Sequence, residues 1–252
     1  MVSERPKHAE IADDLRDLIT RGMLAPGDPL PPEHELCDTY GASRGTVRRA
    51  LAALAGEGLV TNGQGRARHV RHDRRLTFHA SSSESRAALE ERRARGIDAW
   101  VADVEAHGGH PSQQITITIE QPPAEIAELL QLPAGDLAAA RRRLRLIDGH
   151  PHNLNTSWYP RWIAEGTPIM QPADVPQGVS VLLADLRHAQ TRYVDKVTAR
   201  MPDPDETRRL RIGSGVPVMV HTRTGYAGDD PVRVAVTVWP ADRAQIVFEL
   251  PA

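Results

Sequence analysis

The chain has 252 residues, of which 40% are apolar, and its 33 acidic and 31 basic side chains leave a formal net charge of −2. This supports a packed core in one large domain or two ordinary ones, and excludes a uniformly basic nucleic-acid coat. Cys37 is the single cysteine, so no intramolecular disulfide forms. With no signal peptide and no long apolar run, a cytoplasmic protein with no membrane partner is expected.

The first amphipathic stretch is HAEIADDLRDLITR, residues 8 to 21, with Ile11, Leu15, Leu18 and Ile19 on one helical face. The Pro-rich run after Gly22 ends it, and Pro32 suits the first turn of a helix from Glu33. Gly41 marks the turn to a third helix, for which Ser43 is a good N-cap. Val47, Ala50, Leu51 and Leu54 recur at helical spacing, and Gly58 stands where a left-handed C-terminal residue is wanted. Arg44, Gly45, Arg48, Arg49 and Ala52 fall on the opposite side, a basic face with small gaps that lets guanidinium forks reach base edges or phosphates. A helix–turn–helix needs this arrangement to bury one face and lay the other in a major groove of double-stranded DNA. Basic charge is concentrated here: Arg44, Arg48, Arg49, Arg66, Arg68, Arg71, Arg74 and Arg75 face only Glu57 and Asp73 between residues 44 and 75. Leu59–Thr61 and Arg66–Val70 read as a hairpin wing around Asn62-Gly63-Gln64-Gly65, with Gly65 and Arg66 at its tip.

The stretch from Gly22 to Val60 carries G-x-L-x-P-G-D-x-L-P-x-E-x-E-L, then Y-G-x-S-R-x-T-V-R-x-A-L-x-x-L-x-x-E-G-L-V. It resembles the N-terminal domain of the GntR family of bacterial transcription regulators. By that resemblance His34, Ser43, Arg44, Thr46 and Arg48 contact the operator, with Gly65 and Arg66 as the wing tip. Pro32, Gly45 and Ala67 depart from the family's common residues.

Residues 72 to 97 read as a linker with a partly helical, solvated end, since Ser and charge dominate. Ile97 to His107 is a short amphipathic element ended by Gly108-Gly109. Strict alternation in QQITITIEQ predicts a half-buried strand over 113–121, and PPAEIAELLQLPAGD a short helix. Strands follow at Ala138–Ile147 and Leu154–Tyr159 across Asp148-Gly149, a helix at 178–189, a strand at 192–201 and a helix in DPDETRRLRIGSG. Val216–Tyr226 and Val232–Trp239 form a closing hairpin. The pattern is a weak internal echo and implies an α+β domain with helices on an antiparallel sheet.

This half carries RLRLIDGHP at 143–151, TSWYP at 156–160, and RTGY at 223–226 followed by ADR at 241–243. It resembles the UTRA effector-binding domain of the HutC branch of GntR regulators, whose fold is like chorismate lyase. The division implied is 1–71 winged helix–turn–helix, 72–97 linker and 98–252 UTRA-like effector-binding and dimerisation domain. Carried over from that resemblance, the effector residues are Arg143, Arg145, Asn155, Ser180, Leu182, Arg233 and Trp239. Sugar-phosphate sensors of the branch usually have Glu where Asn155 and Arg233 stand, and Tyr where Leu182 stands. This set has more cations and no acid, which points to an anionic, partly apolar effector. The four arginines between 141 and 145 alternate across a strand, so surface ion pairs compete with ligand binding as their role. His107 with His110, and His150 with His152, lack a nearby cysteine partner, and no metal or cofactor is expected.

The function expected is that of a homodimeric repressor binding a palindromic operator and released by a small effector. The alternatives are a plasmid-transfer type repressor with no small effector, and a lyase-like enzyme acting on a chorismate-like diacid. The expectation of no enzyme rests on the absence of an evident general acid or base among the pocket positions.

Overall fold

The computed structural model describes residues 5–61, 67–71, 76–81, 85–213 and 215–249. The chain divides into two compact units, Met1–Arg74 with Met201–Pro217, and Arg75–Arg200 with Val218–Ala252.

The first unit holds α1 (Lys7–Thr20), α2 (Glu33–Tyr40) and α3 (Arg44–Gly56). Gly41 caps α2 in the left-handed conformation, and the Ser43 side chain accepts from the backbone N–H of Thr46. Both features follow from the sequence: only a residue without Cβ takes φ +56° cheaply, and a Ser oxygen satisfies an orphan N–H. Val47, Ala50, Leu51 and Leu54 are buried against Ile11, Leu15 and Leu36. Cys37 is a free, half-buried thiol packed on that cluster. Arg16 reaches from α1 to Glu57 just beyond α3, with bonds of 2.8 and 2.7 Å to the two carboxylate oxygens.

The wing's base is present. The N–H of Thr61 donates to His69 O, and that of Arg71 to Leu59 O. The Pro-rich run backs it, with the Leu30 N–H donating to Arg68 O and the Val70 N–H to Asp28 O. Gly65 and Arg66 lie outside the described residues.

Met201–Pro217, including α9 (Pro204–Leu210), belongs to this first unit, whereas a contiguous domain over 98–252 is the expectation from sequence. The reason is a backbone approach that side chains would forbid. A Cβ on Gly213 would stand 1.9 Å from the carbonyl oxygen of Ala55, and one on Gly215 2.3 Å from that of Gly56. The helix in DPDETRRLRIGSG stops earlier than its glycines, at Arg211 with φ +53°.

The second unit is built on a six-stranded antiparallel sheet of order β2-β3-β4-β7-β6-β5. Its strands are β2 (Pro111–Glu120), β3 (Ala138–Ile147), β4 (His150–Pro160), β5 (Arg192–Arg200), β6 (Val218–Ala227) and β7 (Asp230–Pro240). Alternation separates two buried layers. Ala139, Tyr159 and Val232 pack with Ile163, Ile169, Val179 and Leu183 on one face. Ala138, Ala140, Trp158 and Val234 pack with Ile126 and Leu130 on the other. The helices are α4 (Arg86–Arg95), α5 (Ala99–Ala106), α6 (Ala124–Leu129), α7 (Arg161–Ala164) and α8 (Val179–Asp185). The stretch read as a linker thus carries its helical end as α4, but it also adds β1 (Leu76–His79), paired in parallel with β8 (Ala244–Val247). A four-residue strand in a charged, Ser-rich context has no periodicity to announce it; its pairing to the chain's far end creates it.

Candidate functional site

On α3 the basic face stands clear of the core. Arg44, Arg48 and Arg49 are exposed, as are His34 on α2 and Ser43 at the cap; Thr46 is half-buried, its hydroxyl 2.9 Å from that of Ser43. The structure therefore presents the predicted residues on one helix face and its N-terminal turn, the part of a recognition helix that meets base edges. Arg68, on the returning wing strand, is half-buried; burial lowers its pKa, and Glu33 and Arg48 act on it electrostatically. The sequence reading counted Arg68 only as part of the basic cluster.

The second site lies in the sheet unit. Arg143, Asn155, Thr237 and His221 are successive register partners on β3, β4, β7 and β6, so they form one row across the sheet face. A cavity of about 130 Å³ opens over that row. Of the predicted effector residues, Arg143, Arg145, Asn155, Ser180, Arg233 and Trp239 line it. Leu182 does not: it packs in the core cluster with Tyr159 and Ile163. Residues two apart on a helix are about 200° round the axis, so Ser180 at the cavity sends Leu182 into the core.

The arginines are sorted by strand alternation. Arg141, Arg143 and Arg145 share a face. Arg142 takes the other, paired with Glu120 and lying over the Trp158 ring. Arg141 is 1% exposed and donates to the carbonyl oxygens of Ile169, Gln171 and Ala173, which makes it a structural clamp. Among the described residues Arg143 donates to neutral oxygens, Asn155 Oδ1 at 2.7 Å and Ser157 Oγ at 3.3 Å. Asn155 is itself held, its amide donating to Thr237 Oγ1 at 2.8 Å. Arg145 lies over the Trp100 ring at 4.9 Å, with Asp98 at 3.9 Å. Burial lowers the pKa of Arg143 and pushes that of Arg145 down to about 10, with the charge of Asp98 acting in the opposite direction on both.

One expectation needs correction. The cavity is not without acids, because Asp98 and Asp103 line it. Both come from α5 and its N-cap, a segment that sequence patterning showed only as a short amphipathic element. Burial raises the pKa of Asp103. The aromatic surface is also larger than Trp239 alone. Trp239 stacks on His221 at 5.9 Å, and Phe78 of β1 lies 5.6 Å from His221. His221 was legible in principle, two residues before the flagged Arg223 on the same strand face; Phe78 was not. Asp195 holds this wall: its carboxylate accepts from Arg223 Nε at 2.7 Å and bonds His221 Nε2 at 2.6 Å. Burial alone would raise the Asp195 pKa, but these hydrogen bonds outweigh it and hold the carboxyl well below its usual range.

His152 gives a pH prediction. Burial, with Arg243 and Arg145 adding to it, pushes its pKa from 6.5 down to about 4. The unfolded chain therefore binds one more proton than the folded chain between those values, and stability falls as pH drops through that window. Above pH 6.5 the group contributes no slope. Denaturant titrations are expected to show a loss of roughly 3 kcal/mol between pH 6.5 and 4 that His152→Gln removes.

Among the described residues no group of His, Cys, Asp and Glu is arranged to hold a metal ion, and no helix is long and apolar enough to cross a membrane.

Comparison with known proteins agrees with this architecture. Residues 7–70 match the profile of bacterial regulatory proteins of the gntR family, and residues 106–245 match the UTRA domain. The HTH-type transcriptional regulator SCO4628 of Streptomyces coelicolor is 30% identical, over 92% of this chain and 87% of its own. The histidine utilization repressor of Pseudomonas putida is 25% identical, over 96% and 90%. The crystal structure of PhnF from Mycobacterium smegmatis shares the fold at 21% identity and a TM-score of 0.59, covering 97% of this chain and 99% of that one.

Proposed function

The chain belongs to the GntR family of bacterial regulatory proteins, in its HutC branch, as a transcription regulator with a DNA-binding helix–turn–helix and a UTRA domain, and from that premise we propose that it is a homodimeric repressor released by a small anionic effector. One observation carries the effector reading. Arg143 is 5% exposed, is hydrogen-bonded among the described residues to neutral oxygens, and shares its cavity with Arg145 and Arg233. Buried guanidinium groups are costly until an anion pairs with them, and their forks suit carboxylate or phosphate. The repressor role is supported by the named role of the Pseudomonas putida relative. Two copies of α3 related by a two-fold axis would read a palindrome in successive major grooves. The effector acts only by binding the DNA-free arrangement more tightly than the DNA-bound one.

The test has two arms. Selection of bound duplexes from a random pool, at stated salt, is expected to return a short palindrome. Thermal-shift screening with phosphate monoesters and mono- and dicarboxylates is expected to find a stabilising anion, worth about 2.7 kcal/mol at a hundred times its Kd. That anion should release the operator from the wild type and leave Arg145→Ala bound to it. Release of Arg145→Ala at the wild-type anion concentration would overturn the pocket assignment.

A further inference from the structure

His152 and Asn153 are neighbours on β4, yet both line the effector cavity. In a regular strand, neighbours face opposite sides. Here the ladder slips: Arg145 pairs with Asn153, but Leu146 pairs with Pro151, so His152 is the extra residue of a β-bulge. Bulges re-aim side chains and are common beside functional sites.

The groups gathered there are buried, and two of them are unmatched. Asn153 is 1% exposed and its Oδ1 has no hydrogen-bond partner among the described residues. The same holds for the indole N–H of Trp100, which is 9% exposed. His152 is 4% exposed and lines the same cavity. All three surround Arg145. Asn153 is its register partner, Trp100 lies under its guanidinium, and its charge acts on the His152 ring. A buried donor or acceptor left unmade is destabilising, so native structures satisfy such groups with protein, water or ligand.

We propose that His152, Asn153 and the indole of Trp100 form a charge-neutral subsite beside the arginine pair, which reads a hydroxyl or carboxamide group on the effector. The proposal rests on the anion reading of Arg143 and Arg145. The chemistry follows from what is offered. Trp100 donates, the Asn153 oxygen accepts, and a neutral imidazole does one at each nitrogen. A second carboxylate would put lone pairs against the Asn153 oxygen. An alkyl group would leave the Asn153 oxygen and the Trp100 N–H unmade. Only a neutral group that both gives and takes hydrogen bonds satisfies the set, and sites built this way reject analogues that lack the group.

Calorimetry on the full chain tests it with inorganic phosphate, ethyl phosphate and propyl phosphate, against 2-hydroxyethyl, 3-hydroxypropyl and carbamoylmethyl phosphate. At least one polar member is expected to bind the wild type tenfold or more tighter than its alkyl counterpart, and whether it is a hydroxyl or the carboxamide identifies the group read. Asn153→Leu should bring that ratio to about one, and Trp100→Phe, which keeps the ring and removes the donor, should lower it several-fold. If Asn153→Leu does not fold, Trp100→Phe decides. Phosphate binding with no polar advantage, or an advantage that survives in the variants, overturns the subsite and leaves the arginine reading standing. Failure of the wild type to bind any of these anions overturns the arginine reading, and the subsite with it.

Discussion

Replacing Arg44 and Arg48 together by alanine is expected to lower affinity for the selected operator by about thirtyfold to twenty-thousandfold. Each side chain is exposed on α3, close to the capped N-terminus that enters a groove, and each good base contact is worth about 1–3 kcal/mol. The fold should not suffer, because the buried face of α3 is made by Val47, Ala50, Leu51 and Leu54. Far-ultraviolet circular dichroism and melting temperature should match the wild type. Salt dependence separates the two ways a guanidinium helps. Loss of base contacts relaxes specificity between operator variants, whereas loss of phosphate contacts lowers the slope of log K against log salt by about one per residue. Arg16→Ala is the matched control, since Arg16 is spent on Glu57. Wild-type affinity in the double variant would remove α3 from the groove.

The DNA-binding half was legible because each of its signals is local. A Ser cap, a Gly turn and a 3.6-residue apolar repeat depend on residues within one or two turns of each other, and all three are found where the sequence puts them. The sheet's strands were legible for the same reason, through alternation. What sequence patterning could not show is produced by contacts between distant segments. Phe78 reaches the cavity only because β1 pairs with β8, about 170 residues away. Asp98 and Trp100 reach it because the α5 segment lies against the β3 arginines. Met201–Pro217 belongs to the first unit because Gly213 and Gly215 leave the space that the carbonyl oxygens of Ala55 and Gly56 need. Of the seven effector residues carried over from family resemblance, six line the cavity, while Leu182, two residues on from Ser180 on α8, packs into the core.

The run Ala138-Ala139-Ala140-Arg141-Arg142-Arg143-Leu144-Arg145 shows how far alternation alone decides. It separates Arg142 from the other three but cannot say which of those three binds a ligand. Burial partners decide that. Arg141 is as deep as its neighbours, and burial pushes its pKa down to about 10, yet its guanidinium is occupied by the carbonyl oxygens of Ile169, Gln171 and Ala173. These carbonyls belong to the stretch between α7 and α8, in which Pro168–Met170 forms a 3-10 helix. Arg141→Met is therefore expected to cost about 3–5 kcal/mol of stability, because it strands several buried acceptors at once. Arg142→Met, on the opposite face with a half-exposed Glu120 partner, should cost at most about 1 kcal/mol. Arg143→Met should change stability least unfavourably of the buried set, since it removes a charge hydrogen-bonded among the described residues to neutral side-chain oxygens, while abolishing anion binding. Urea titrations of the three single variants, read beside anion binding, rank them. If Arg143→Met proved as destabilising as Arg141→Met, Arg143 would be a structural clamp like its neighbour, and the anion site would have to rest on Arg145 and Arg233 alone.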